Sequence, residues 1–68
     1  MKRVKCSYDE AYNDMQAGKT CLCFKNSGWA EHRMTGRQHW EHFWEGWMIV
    51  DLSEVRFSDM KWMREIND

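Results

Sequence analysis

The sequence contains no proline. No segment is therefore held at the fixed φ of a pyrrolidine ring, and no strand or helix loses a backbone donor to one. Val, Ile and Leu are scarce, and no apolar run approaches the ~20 residues of a membrane-spanning helix. Charge of one sign is missing too: 10 Lys and Arg stand against 11 Asp and Glu, a net charge of −1. A general nucleic-acid binder needs a basic footprint, and a DNA mimic needs a strongly acidic one; neither is present. A charge this close to zero leaves self-association unopposed. There is no low-complexity stretch, linker or internal repeat, so residues 1–68 read as a single domain. No glycine-rich phosphate loop occurs; Gly28, Gly36 and Gly46 are isolated. Met1-Lys2-Arg3-Val4-Lys5 is basic, but no signal-peptide apolar stretch follows it, so the expected location is the cytoplasm. Three cysteines are an odd set, which reads as free thiols in a reducing compartment.

Aromatic and soft apolar residues take the place of the missing aliphatics. Five Trp, three Phe, two Tyr and six Met must supply most of the core of a 68-residue chain. A domain of this size buries only about 60% of the surface its unfolded chain exposes. It cannot hide so much indole, and some of it is expected on the surface or in an interface.

Local signals give an α+β domain, a small, mostly antiparallel sheet with one or two packed helices. Ser7 and Glu10 form a capping box, and Tyr8, Ala11, Tyr12 and Met15 recur at helical spacing. With Asp9 and Glu10 in the first turn and Gly18 as a stop, residues 7–17 are predicted as a helix. Lys2 to Cys6 reads as a short edge strand and Thr20 to Phe24 as a strand. Leu22 and Phe24 are expected on one side of that strand, with Cys21 and Cys23 on the other. Asn26-Ser27-Gly28 is a turn signal. Trp40, Phe43, Trp44 and Trp47 fall at i, i+3, i+4, i+7 behind a second capping box of Thr35 and Gln38, which favours a helix over residues 36–46. The competing reading is a hairpin turning at Thr35-Gly36 into an aromatic strand. Residues 47–51 and Val55-Arg56-Phe57 have strand character, and Ser58-Asp59 reads as the cap of a turn of helix before Lys61 to Ile66.

Candidate chemistry is limited. Cys21, Cys23, His39 and His42 are of the types that hold zinc, and on a helix His39 and His42 would share a face. Structural zinc sites favour two to four residues between cysteine ligands, so the spacing is poor, and buried small thiols with partly exposed imidazoles are the simpler reading. No signature of nucleophilic catalysis surrounds any cysteine, and neither an enzyme nor a resident cofactor is expected. Glu41 and Glu45 read as the solvated face of the helix over residues 36–46. Trp29, Arg33, Arg37 and Trp40 combine flat aromatic faces with planar cationic forks, the pair of groups a nucleotide-type ligand requires. Phe43, Trp44 and Trp47 are candidates for an interface, with another copy of the chain or with a host protein.

Ser7-Tyr8-Asp9-Glu10-Ala11, running on to Met15-Gln16-Ala17-Gly18-Lys19, together with Gly28-Trp29, Ser58-Asp59-Met60 and Trp62, is a pattern that resembles small phage proteins related to the Thoeris anti-defence sponges. The likeness lies at the two ends of the chain. It implies a phage-encoded homo-oligomer acting in the cytoplasm of an infected cell. Such a protein traps a nucleotide immune signal, a cyclic derivative of ADP-ribose, without cleaving it. The alternative reading is a small inhibitor that caps a host enzyme or regulator through a Trp-rich patch.

Overall fold

The computed structural model describes residues 2–51 and 59–67. The elements run β1 (Lys2–Cys6), α1 (Tyr8–Gln16), β2 (Cys21–Lys25), β3 (Gly28–Thr35), β4 (Gln38–Phe43), β5 (Gly46–Val50) and β6 (Trp62–Ile66). The six strands form one sheet in the order β1-β6-β2-β3-β4-β5, and every pairing is antiparallel. The α+β expectation holds in its coarse form, with a single helix among the described residues and more sheet than the prediction gave. No helix among the described residues is long and apolar enough to cross a membrane.

The helix forms where its caps are. The Ser7 side chain accepts from the Glu10 N–H, and the Glu10 carboxylate accepts in return from the Ser7 N–H. At the other end the Gly18 N–H donates to Met15 and the Lys19 N–H to Asp14, both through carbonyls, a Schellman closure that needs Gly18 at φ +89°. Ala11 and Met15 are fully buried on the sheet.

From β2 to β5 the chain makes three consecutive hairpins, each with a two-residue turn. Register is continuous: Cys21 faces His32, His32 faces Glu41, and Glu41 faces Met48. Alternation therefore places Cys21, Cys23, His32, Met34, Glu41 and Trp62 on the side covered by α1. Leu22, Trp29, Arg33, Trp40, Trp47 and Ile49 lie on the other side. Leu22 is buried there as well, between Met63 and Glu31 of the flanking strands. The expected separation of Cys21 and Cys23 from Leu22 and Phe24 is observed.

The predicted helix over residues 36–46 is not formed. The aromatic spacing fits a helix turn, but Gly36 at φ +62° and Gly46 at φ +125° take up conformations that a helix interior excludes. They bracket β4 and its turn, and the aromatic residues between them are good strand formers. The hairpin reading of this stretch is the correct one, with the turn at Gly36-Arg37 and Thr35 still in β3. With it goes the assignment of Glu41 to a solvated helix face: Glu41 is 2% exposed and points into the core. The strand expected at Val55-Arg56-Phe57, and Ser58 of the expected cap, lie outside the described residues. Asp59 and Met60 form a turn and bend, and Trp62 to Ile66 is a strand that inserts between β1 and β2.

Trp62, 1% exposed, is the largest buried side chain. Its ring sits 5.5 Å from that of Tyr8 and 5.3 Å from that of His32. It joins the helix, the central strand pair and the hairpins in one core. Arg64 on the same strand pairs with Asp14 at 3.0 Å and with Glu10 at 3.4 Å, tying β6 to the helix.

The β2–β3 turn holds Asn26 at φ +52° and Ser27 at φ +64°. Both are left-handed, as the twist of a two-residue hairpin demands, but Ser has no preference for that region. Ser27→Gly is expected to raise unfolding stability by about 1 kcal/mol. Urea denaturation of the two proteins measures the difference, and a destabilised variant contradicts the turn geometry.

Candidate functional site

The face of the sheet opposite α1 carries most of the residues marked out as ligand or interface candidates. Arg33 stands directly across from Trp40, Trp40 across from Ile49, and His42 across from Trp47. The Arg33 guanidinium lies over the Trp47 indole, 4.1 Å from its centroid. A cation over an aromatic face is attracted by the ring, and a guanidinium keeps N–H donors that can meet an anion. The Trp40 Nε1–H is buried and has no hydrogen-bond acceptor among the described residues. His42 packs against the Trp47 ring at 5.0 Å. Toward the β2–β3 turn the same face continues with Trp29 and Phe24, edge to face at 5.1 Å and 41% and 37% exposed. No described element covers this surface. Of the described residues between β5 and β6, Asp51 and Met60 both act on the helix side. The Asp51 charge acts on Tyr8 and His39, and Met60 touches Cys23.

Arg33, Trp40 and Trp47 are thus brought together, with Trp29 at one end of the same face. Arg37 is not part of the group. It lies in the β3–β4 turn, beyond Thr35, the end of β3, which is six residue steps along the strand from Trp29, about 20 Å. Trp44 occupies the β4–β5 turn, at the end of the sheet that also carries the β2–β3 turn, and is 93% exposed. Phe43 points to the helix side, where the Lys25 ammonium lies 6.0 Å from its ring.

The metal candidates separate. On a strand His39 and His42 point to opposite sides: His39 stacks at 5.9 Å on Tyr12 of the helix, and His42 faces away from it. Cys21 and Cys23 are buried, with the Cys21 thiol donating to the Ala11 carbonyl. Burial pushes the Cys21 thiol up to about 12 and the Cys23 thiol to about 11, so neither supplies a thiolate at neutral pH. Among the described residues no three metal-ligating side chains converge.

The sequence reading missed a buried polar cluster on the helix side. The Lys25 ammonium contacts the Glu41 carboxylate at 2.8 Å, and His32 Nε2 lies 3.6 Å from the same oxygen. His32 is fully buried. Burial lowers its pKa to about 4 in spite of the Glu41 charge, so the ring is neutral. The signal for this cluster was strand alternation, which sets His32 in phase with Met34, and Glu41 in phase with His39.

Comparison with protein-family models, with curated proteins and with solved structures finds no match.

The neutral His32 gives the domain a pH dependence. In the unfolded chain its pKa is near 6.5, and in the fold about 4. The unfolded state therefore takes up the proton first, and stability that is complete above pH 6.5 is lost as the pH falls toward 4. Burial lowers the His39 pKa as well and adds in the same direction. Urea midpoints measured at pH 7 and pH 5 are expected to fall with pH in the wild type and to fall less in His32→Gln. Equal slopes would place the titrating group elsewhere.

Proposed function

We propose that this protein is a non-catalytic binding protein that sequesters a nucleotide-type ligand on the sheet face carrying Trp29, Arg33, Trp40 and Trp47. The observation that carries this reading is the Arg33 guanidinium lying 4.1 Å from the centroid of Trp47, with Trp40 across from Arg33 on the neighbouring strand. An indole offers a base a stacking surface worth about 1–3 kcal/mol, and the fork of Arg33 offers phosphate charge-assisted hydrogen bonds. The net charge of −1 suits a small ligand better than a polymer. Buried thiols with raised pKa values and a neutral, buried His32 support binding over nucleophilic catalysis. The resemblance to the phage anti-defence sponges supplies the biological setting: capture of a cyclic ADP-ribose derivative in the infected cell's cytoplasm, by a homo-oligomer.

Titration with ADP-ribose and with its cyclic derivatives, followed by tryptophan fluorescence and calorimetry, tests the reading. Quenching with saturable heat is expected. Arg33→Ala should weaken binding about tenfold or more, with the fold intact by circular dichroism. Arg37→Ala, at the far end of the hairpin, should change it much less. Absence of binding to any of these compounds overturns the ligand assignment.

A second reading is favoured by Trp44. An indole 93% exposed at a turn tip, at the same end of the sheet as the exposed Phe24 and Trp29, suits a protein-binding anchor. In this reading the chain caps a host protein. Trp44→Ala should then abolish capture of that protein from host lysate and leave nucleotide binding unchanged. If the variant and the wild type recover the same proteins, Trp44 is not an anchor.

A further inference from the structure

The two edges of the sheet formed by the described residues, β1 and β5, are built differently. The β1 edge carries Lys2, Arg3 and Lys5, all exposed, and such a run of cations repels a second strand of its own kind. The β5 edge, Gly46-Trp47-Met48-Ile49-Val50, carries no charge at all. It has neither proline nor lysine, the residues with which edges are ordinarily protected. It exposes an apolar side chain on each side of the sheet: Met48 is 51% exposed on the helix side and Ile49 57% exposed on the other. A ligand on one face would cover only one of them. A strand added along the edge covers both.

We propose that β5 is a self-association edge, at which a second copy of this chain pairs antiparallel with its own β5 about a twofold axis. The strand is complementary to itself. Centring the pairing on Met48 sets Met48 against the partner copy's Met48, and Trp47 against its Ile49. The latter is an aromatic and β-branched cross-strand pair of the kind that stabilises sheets. A twofold axis normal to the sheet brings the same face of both copies to the same side. The two Trp40–Trp47 surfaces then become one continuous surface, with Ile49 of each copy between Trp40 and the partner copy's Trp47. Head-to-tail pairing of β5 with β1 is not favoured, because β5 has no acidic residue to meet Lys2, Arg3 and Lys5. The assembly therefore closes as a dimer and does not grow into a filament. With a net charge of −1 on each chain, little repulsion opposes it. The argument rests on the edge alone and stands whether or not the nucleotide reading holds.

Sedimentation or light scattering across a wide concentration range tests the proposal. The wild-type chain is expected to pass from 8.3 kDa to twice that mass as concentration rises. Met48→Lys and Ile49→Lys, at exposed positions on opposite sides of the strand, should each weaken association at least tenfold. Met48→Lys leaves the Trp40–Trp47 face intact, so its nucleotide binding separates failure of the edge from failure of the ligand site. A wild-type chain that stays monomeric overturns the proposal and leaves the edge to a strand of another protein. A dimer unaffected by both substitutions overturns it as well. If either variant fails to fold, amide exchange on the wild type decides. Protection of the β5 amides should grow with concentration, and protection independent of concentration contradicts the pairing.

Discussion

Strand parity is the constraint on which the rest of the molecule depends. Three two-residue turns hold β2 to β5 in one unbroken register, so each residue's side of the sheet is set by whether its position is in or out of phase with Cys21. One phase carries the small thiols, His32, Met34 and Glu41, which fit beneath α1. The other carries Trp29, Arg33, Trp40 and Trp47, which nothing described covers. A slip by one residue would exchange the two sets, exposing the buried thiols and forcing bulky indoles under the helix. The side chains that pack beneath α1 are therefore tied to one register.

The helix was legible because its signals are local. The capping box, the apolar stripe and Gly18 all lie within a dozen residues, and each does in the fold what its chemistry implies. The same holds for the β2 alternation and the turn at Asn26 and Ser27. The stretch from Thr35 to Trp47 misled because Trp40, Phe43, Trp44 and Trp47 satisfy a helix period by accident of hairpin length. Here Gly36 and Gly46 were the better guides, since their left-handed conformations mark turns whatever the apolar spacing. The place of β6 between β1 and β2 was not legible at all. It depends on the fit of Trp62 between Tyr8 and His32, a contact between residues far apart in the chain.

The candidate site was legible by residue type and not by position. Trp29 and Arg33 share a face because they share a phase on β3, while Trp40 joins them through the β3–β4 hairpin and Trp47 through the β4–β5 hairpin. Arg37 has the same chemistry but falls in a turn, which places it at the opposite end of β3 from Trp29. The buried polar cluster went unseen because Glu41, read as part of a helix, belongs to a solvated face. As part of a strand it meets Lys25 and His32 in the core. Burying a carboxylate is costly unless it is paired, and Lys25 supplies the pairing that lets Glu41 keep the phase of the core.

Nuclear Overhauser spectroscopy of the labelled protein tests the hairpin register most directly. The account predicts cross-strand contacts pairing His32 with Glu41, Glu41 with Met48, and Arg33 with Trp40, together with Arg33 side-chain signals shifted by the Trp47 ring. Sequential helical contacts between residues three apart over residues 36–46, with no cross-strand set, would contradict it. In that case the aromatic face, the buried cluster and the free edge would all fall together.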